Sequence, residues 1–473
     1  MLDEILLARM LEEALKKGGD WAEVYTEEKQ VSSLFVEDER IERMNQGREI
    51  GVGIRVISGE NTAYVYTNKL KQKDLLAASR LAARGAGAAK RQHRIVSLMK
   101  LPGLKRPDEE RVVQALEPGD KIQLVLAANQ AARQVGADIK QVSISAADLY
   151  KKVQIANSDG GLVEDEYSRA RVAINAVAAR DGIIQTGFQS AGGTCGWEIL
   201  QEVSFEDLAG QAARLAVSML DARPAPAGRM PVVMAAQAGG TMVHEACGHG
   251  LEADLVQKGL SVYQHDMNRE VAAPGVSVID DPTLEAKYGS YRFDDEGRRS
   301  HKTVLIDQGR LVDFLFDRLT ALREARSDSC NGRRESYQHK PIPRMSNTFI
   351  APGADDPEEI IRSTEHGLLV KKMGGGQVNT TNGDFVFEVQ EGYVIEDGQV
   401  AYPVRGATLT GNGPQVLKSI DRIGKDLGFG IGVCGKDGQG VPVADAQPTI
   451  RIKELTIGGT GSAEKRKKSM RRI

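Results

Sequence analysis

Cysteine and tryptophan are scarce in this chain: four Cys and two Trp in 473 residues, with no C-x-x-C pair. Cys195, Cys247, Cys330 and Cys434 are too few and too scattered to staple a chain of this length. That excludes a disulfide framework and leaves packing, catalysis or metal binding as the work of a cysteine here. An excess of charge of either sign is missing too. The 62 Lys and Arg stand against 65 Asp and Glu, a formal net charge of -3, so there is no basic field to gather nucleic acid or an acidic membrane surface. No apolar run approaches the roughly 18 residues of a membrane-spanning helix, and Asp3 and Glu4 stand where a secretory leader would carry positive charge. These absences point to a soluble cytoplasmic protein with neither a nucleic-acid nor a membrane partner. What is present, 41% hydrophobic and 27% charged residues, is ordinary globular composition with enough chain for sizeable cores.

The patterning predicts an α+β fold in two domains. Leu2, Ile5, Leu6, Met10, Leu11 and Leu15 recur at helical spacing before Gly18 and Gly19 end the pattern. From Trp21 to about Asn68 the period shortens, and the runs 22–26, 31–36, 51–57 and 63–66 read as an antiparallel meander. Helical composition returns at 71–89 and 120–135, around a Pro-containing connector from Pro102 to Pro118. A second set of strand-like runs follows at 141–149, 152–156, 162–177 and 182–188, then a helix over 205–221. Arg223-Pro224-Ala225-Pro226-Ala227-Gly228 cannot continue that helix and has the character of a linker. The expected division is therefore residues 1–223, an N-terminal α/β sandwich-like domain of antiparallel strands and helices, and residues 224–473. The second is mainly antiparallel β with one short helix near residue 244. The last ten residues, rich in Lys and Arg, read as a solvated end.

Two of only seven histidines fall within six residues in Thr241-Met242-Val243-His244-Glu245-Ala246-Cys247-Gly248-His249-Gly250. Imidazole is the commonest metal ligand, and a carboxylate beside it can take a proton from a metal-activated water. In the familiar H-E-x-x-H the histidines are four apart and share a helix face. Here they are five apart, which rotates the second roughly 140° away from the first on a regular helix. Delivering both to one metal requires an i to i+5 π-type turn, or an end to the helix at Gly248. A catalytic zinc usually has three protein ligands and one water. The third is sought in Cys434, where flanking glycines let the backbone approach and Lys436 could favour the thiolate, or in Glu252, Asp254 or Cys247. His265, His301, His339 and His366 stand alone and read as surface or hydrogen-bonding residues.

The segment holding Cys434 imitates two nucleotide signatures and satisfies neither. Gly430, Gly432 and Gly435 match G-x-G-x-x-G, but turn sequence follows where a helix N-terminus would have to meet a pyrophosphate. As a phosphate loop it fails at Asp437, which replaces the Ser or Thr that holds magnesium.

His-Glu-Ala-Cys-Gly-His-Gly-Leu-Glu-Ala-Asp at 244–254, with Cys-Gly-Lys-Asp-Gly-Gln at 434–439, closely resembles the TldD branch of the TldD/PmbA metalloprotease family. Asn347-Thr348-Phe349-Ile350, Asp384-Phe385 and Gly411-Asn412-Gly413 are similar to that family as well, and the resemblance spans the whole chain. It implies Zn2+ bound by His244, His249 and Cys434, with Glu245 as general base. It also implies an unfolded or extended peptide as substrate, admitted to a chamber shared with a TldE/PmbA-like partner subunit or a second copy. A sheet edge in the second domain would suit such a peptide, since main-chain hydrogen bonds tolerate any sequence. No oxyanion stabiliser stands out, and Tyr402 and Arg405 are the polar candidates. A small-amide metalloamidase and a non-enzymatic peptide-binding protein with structural zinc are the rival readings.

Overall fold

The computed structural model describes residues 1–87, 97–101, 116–326 and 330–459. Most of the expected connector from Pro102 to Pro118, the end of the helical run 71–89 and the basic C-terminal residues lie outside them. Asp3 caps the first helix, α1 (Glu4–Leu15), by accepting hydrogen bonds from the Ile5 and Leu6 amides. Three further helices occupy the N-terminal half: α2 (Gln72–Gly85), α3 (Pro118–Arg133) and α4 (Phe205–Leu220). Proline starts α3, where its missing N–H costs nothing, and Ser204 caps α4 through the Asp207 amide.

These helices lie on one face of a seven-stranded sheet. Its strands are β1 (Trp21–Glu37), β2 (Arg40–Ser58), β3 (Asn61–Thr67), β4 (Met99–Lys100), β5 (Ile139–Asn157), β6 (Gly161–Arg180) and β7 (Ile183–Gly193). The order is β3-β2-β1-β5-β6, with β4 and β7 both on β6, and every pairing is antiparallel except β4 with β6. Because side chains alternate, the even-numbered residues of β1, β2, β5 and β6 turn toward the helices. Val24, Val52, Ile54 and Val56 pack on Leu7, Met10 and Leu11 of α1, and Ile144, Val172 and Ile174 pack on Val125, Phe205 and Ala212.

The odd-numbered face meets the C-terminal half. Tyr25, Val153, Ile155 and Val163 form a small core there with Phe293 and Tyr337. Around it lies a buried ionic group: Arg55 with Glu296 and Asp317, Arg334 with Glu23, and Lys151 with Glu27 at 2.8 Å. The runs 22–26 and 31–36 are one strand, paired continuously with β2 and β5. The polar residues between them make no turn and pair across the sheet, Glu27 with Lys151 of β5, and Glu28 and Lys29 with Arg48 and Glu49 of β2.

Past Leu220 the chain is mixed in elements but mainly antiparallel β, as its patterning predicts. Five strands, Gly228–Met234, His366–Val378, Asp384–Glu396, Thr408–Asn412 and Ile450–Gly458, pair in a closed cycle, a small barrel. The barrel contributes Val232, Leu368, Val370, Phe385, Phe387, Leu409 and Ile452 to the largest core. Part of the linker-like stretch is itself strand: Arg223 and Pro224 pair with Val404 and Arg405, an edge position that tolerates proline. A second sheet of six strands ends in Thr348–Ile350, Gln439–Gln447 and Gly428–Lys436. The last of these is its edge. Among the described residues no helix is long and apolar enough to cross a membrane.

Candidate metal centre

Thr241–Val243 form one α-helical turn, and the backbone then widens. The His249 amide donates to the His244 carbonyl, a π-type turn over His244–Gly248, and a 3-10 turn follows at His249–Leu251. Several neighbours hold this geometry. The Tyr263 hydroxyl donates to the Ala246 carbonyl at 2.7 Å, supplying a partner that the irregular turn leaves it needing. Gly413 packs so closely on Ala246 that a Cβ would overlap the carbonyl, and a Cβ on Gly248 would overlap the Met345 sulfur. The widened turn brings the two imidazoles together, ring centres 4.8 Å apart and nearly perpendicular.

Cys434 arrives from the edge strand. Its Sγ lies 3.2 Å from His244 Nε2 and 3.4 Å from His249 Nε2, and the three donor atoms lie within 4.8 Å of one another. Among the described residues this is the one group of three or more His, Cys, Asp or Glu placed to hold a metal ion. Glu245 follows His244 on the turn, and burial raises its carboxyl above the usual range.

Each imidazole has a carboxylate behind it. His249 Nδ1 is 3.0 Å from Glu252 Oε2, and His244 Nδ1 is 3.0 Å from Asp445 Oδ2, an ion-pair distance outside hydrogen-bond geometry. With Nδ1 so engaged, both Nε2 atoms face the sulfur. The two carboxylates differ in their own surroundings. Glu252 is fully buried and shares its charge with Lys436 at 3.1 Å and Arg344 at 3.7 Å as well as His249, whereas Asp445 pairs with His244 alone among the described residues; Glu252 Oε1 and Asp445 Oδ1 are both buried without a hydrogen-bond partner there. Burial alone would push the Cys434 thiol up, but the His244 and His249 imidazoles outweigh it and bring the thiol down to about 5. Burial opposes charge on His249 also, yet Glu252 and Cys434 lift it to about 9. Glu252 falls to about 2, Lys436 and His249 prevailing over burial.

The other residues singled out by sequence are engaged elsewhere. Cys247 is buried, donates to the Val243 carbonyl and is pushed up to about 12 by burial. Lys436, expected beside the thiolate, pairs with Glu252 and Asp254, so the thiol is lowered by imidazole and not by ammonium. Tyr402 lies under the Arg223 guanidinium, and Arg405 donates to the Leu220 carbonyl, both at the seam with α4. Gly430, Gly432 and Gly435 lie within a strand, with no helix after them. Sequence reasoning missed Asp445 and Arg344. An aspartate between Ala444 and Ala446 in an apolar strand was the available signal for the first; nothing local marks the second, whose guanidinium donates to the Cys434 carbonyl.

Beside the centre opens a cavity of about 2330 Å³, between β7 and the barrel, lined in part by Thr241, Phe429, Gly430 and Ile431. His244, His249 and Cys434 do not line it; it meets them through shared elements, the turn that begins at Thr241 and the strand that carries Cys434.

A π-type turn with two imidazoles, a remote thiolate and a barrel beneath them defines a candidate metallohydrolase. Three family models, the first, central and C-terminal domains of the PmbA/TldA metallopeptidases, match residues 22–86, 112–220 and 227–459. A metalloprotease TldD homolog of Haemophilus influenzae is 36% identical over 450 residues, 93% of each chain. A zinc metalloprotease TldD homolog of Saccharolobus solfataricus is 29% identical over 68% of this chain and 72% of its own. The chain belongs to the PmbA/TldD metallopeptidase family. In fold it is similar to TldE from Thermococcus kodakarensis, with a TM-score of 0.77 at 17% identity over 96% of this chain and all of that one. A candidate modulator of a DNA gyrase from Thermotoga maritima gives the same score at 21% identity and the same coverage.

Proposed function

We propose that this chain is a zinc-dependent peptidase acting on unfolded or extended peptides, with His244, His249 and Cys434 as metal ligands and Glu245 as general base. The observation that carries the reading is the convergence of two imidazole Nε2 atoms on a lowered thiol, next to a partly buried glutamate. Nitrogen and sulfur donors suit zinc, and three of them leave a fourth position for water. A zinc ion held there would polarise the scissile carbonyl and acidify the attacking water. Glu245 accepts that proton and delivers it to the leaving amine, a task suited to a carboxyl raised by burial. Glu252 and Asp445 keep both rings turned toward the sulfur. The edge strand Gly428–Lys436 pairs only with Gln439–Gln447 among the described strands, and Val433 is 55% exposed, which suits a peptide added as a further strand. The likeness to TldE supports a second subunit of related fold, TldE-like or another copy, closing the chamber.

Metal analysis of wild type and Cys434→Ser, with cleavage of an unfolded peptide, tests this. About one zinc per chain, lost together with cleavage in the variant, is expected. Zinc retained by Cys434→Ser would move the third ligand elsewhere. Zinc in wild type without cleavage, even with a TldE-like partner, would favour a peptide-binding protein.

A further inference from the structure

Lys287 combines a fixed backbone with an uncommitted charge. Its carbonyl accepts from Thr194 Oγ1 at 2.8 Å and from the Ser290 amide at 3.0 Å, and the preceding Ala286 carbonyl accepts from the Thr194 amide at 3.1 Å. The loop is thus moored to the end of β7. The ammonium lies 4.4 Å from the centre of the Phe429 ring, and no carboxylate is within ion-pair distance of it among the described residues. An ammonium has three donors, and a ring face engages only one side of it. Lys287, Phe429, Gly430 and Ile431 all line the large cavity. Phe429 is on the strand that carries Cys434, five positions before it, or roughly 17 Å along an extended backbone.

A second lysine in the cavity offers a contrast. Lys372 donates to the Phe188 carbonyl and to Gln189 Oε1 on β7, and burial brings it down to about 8. It is spent on joining β7 to the barrel. Arg292, also on the wall, is paired with Asp165, and the carboxylates there, Glu166, Glu198, Glu202, Glu285 and Glu388, repel an acidic ligand, so Lys287 is the place where one would settle.

We propose that Lys287 anchors the free α-carboxylate of a peptide substrate docked antiparallel along Gly428–Lys436, setting the cut about five residues before its C-terminus. The inference rests on that strand being the docking edge. An antiparallel substrate runs from Cys434 back toward Phe429 after the cut, which brings its acidic end to the ammonium. A parallel one would bring its cationic end there.

An unfolded ten-residue peptide, made as free acid and as C-terminal amide, separates the possibilities. Binding is read by fluorescence anisotropy on the zinc-loaded full chain carrying Glu245→Gln, which slows turnover below the time of the measurement, alone and combined with Lys287→Met or Lys287→Arg. With Lys287 present the acid binds about tenfold tighter than the amide, a gap that shrinks in salt. Lys287→Met, which keeps the apolar stem on Phe429, removes the gap by weakening the acid alone, and Lys287→Arg restores it. With Glu245 intact, the C-terminal product has about five residues. Equal binding of acid and amide, no binding of either, or a gap that survives Lys287→Met overturns the anchor. A preserved gap without cleavage by the chain with Glu245 intact overturns the peptidase reading and leaves the anchor standing.

Discussion

The two carboxylates behind the imidazoles are not equivalent. Glu252 divides its charge among His249, Lys436 and Arg344, while among the described residues His244 is the one cation beside Asp445. Replacing either with its amide should weaken zinc about 10- to 100-fold, and Asp445→Asn should cost more in affinity. A chelator competition on purified variants reads this. Protons compete for the same ring atoms. In the metal-free chain His249 is lifted to about 9, and against its burial Asp445 and Cys434 hold His244 well above the usual imidazole range, so loading must release protons and zinc affinity should rise with pH between 6 and 9. An affinity independent of pH between 6 and 9 would mean that neither imidazole gives up a proton to the metal. Glu245→Gln should keep its zinc and lose about 10²- to 10⁴-fold in cleavage, checked by metal analysis beside a peptide assay.

The turn that carries His244 and His249 depends on neighbours that cannot give way. Gly413→Ala drives a methyl into the Ala246 carbonyl, a backbone atom fixed by Tyr263, and should cost roughly 1–3 kcal/mol and loosen zinc as the turn shifts. Gly435→Ala, where a Cβ meets nothing within 4 Å, is the control, and denaturant midpoints of the two variants compare them. The spacing of the two histidines already demanded an irregular turn, because five steps on a regular helix part them. The helices were likewise legible: α1, α3 and α4 begin within two residues of their predicted starts. Strand lengths were not. Arg40–Ile50 carries no apolar alternation because both its faces are exposed in the outer part of β2, yet it pairs with β1 throughout. Asp445 and Arg344 escaped for a different reason, since they reach the centre only through tertiary packing.

The two halves of the molecule are joined through charge as much as through apolar surface. Arg55, on the odd-numbered face of β2, is almost wholly buried against Glu296 and Asp317, and Arg334 reaches back to Glu23. Removing one member strands the others in a dry interface, so Arg55→Ala should cost about 3–5 kcal/mol, read from denaturant unfolding. The same stretch of chain leads to the metal centre: Arg333 donates to the Met345 and Pro442 carbonyls, and Arg344 to that of Cys434. The ligands themselves come from opposite ends of the C-terminal half, Cys434 lying 190 residues after His244. On a ribosome adding about 5–20 residues per second, the sulfur is made roughly 10–40 s after the first imidazole. Until then the nascent chain holds only two of the three donors, and the thiol joins them only once the strand that carries it has paired. The chemistry of this centre is therefore withheld from the polypeptide that is still making it, and from its neighbours on the same message.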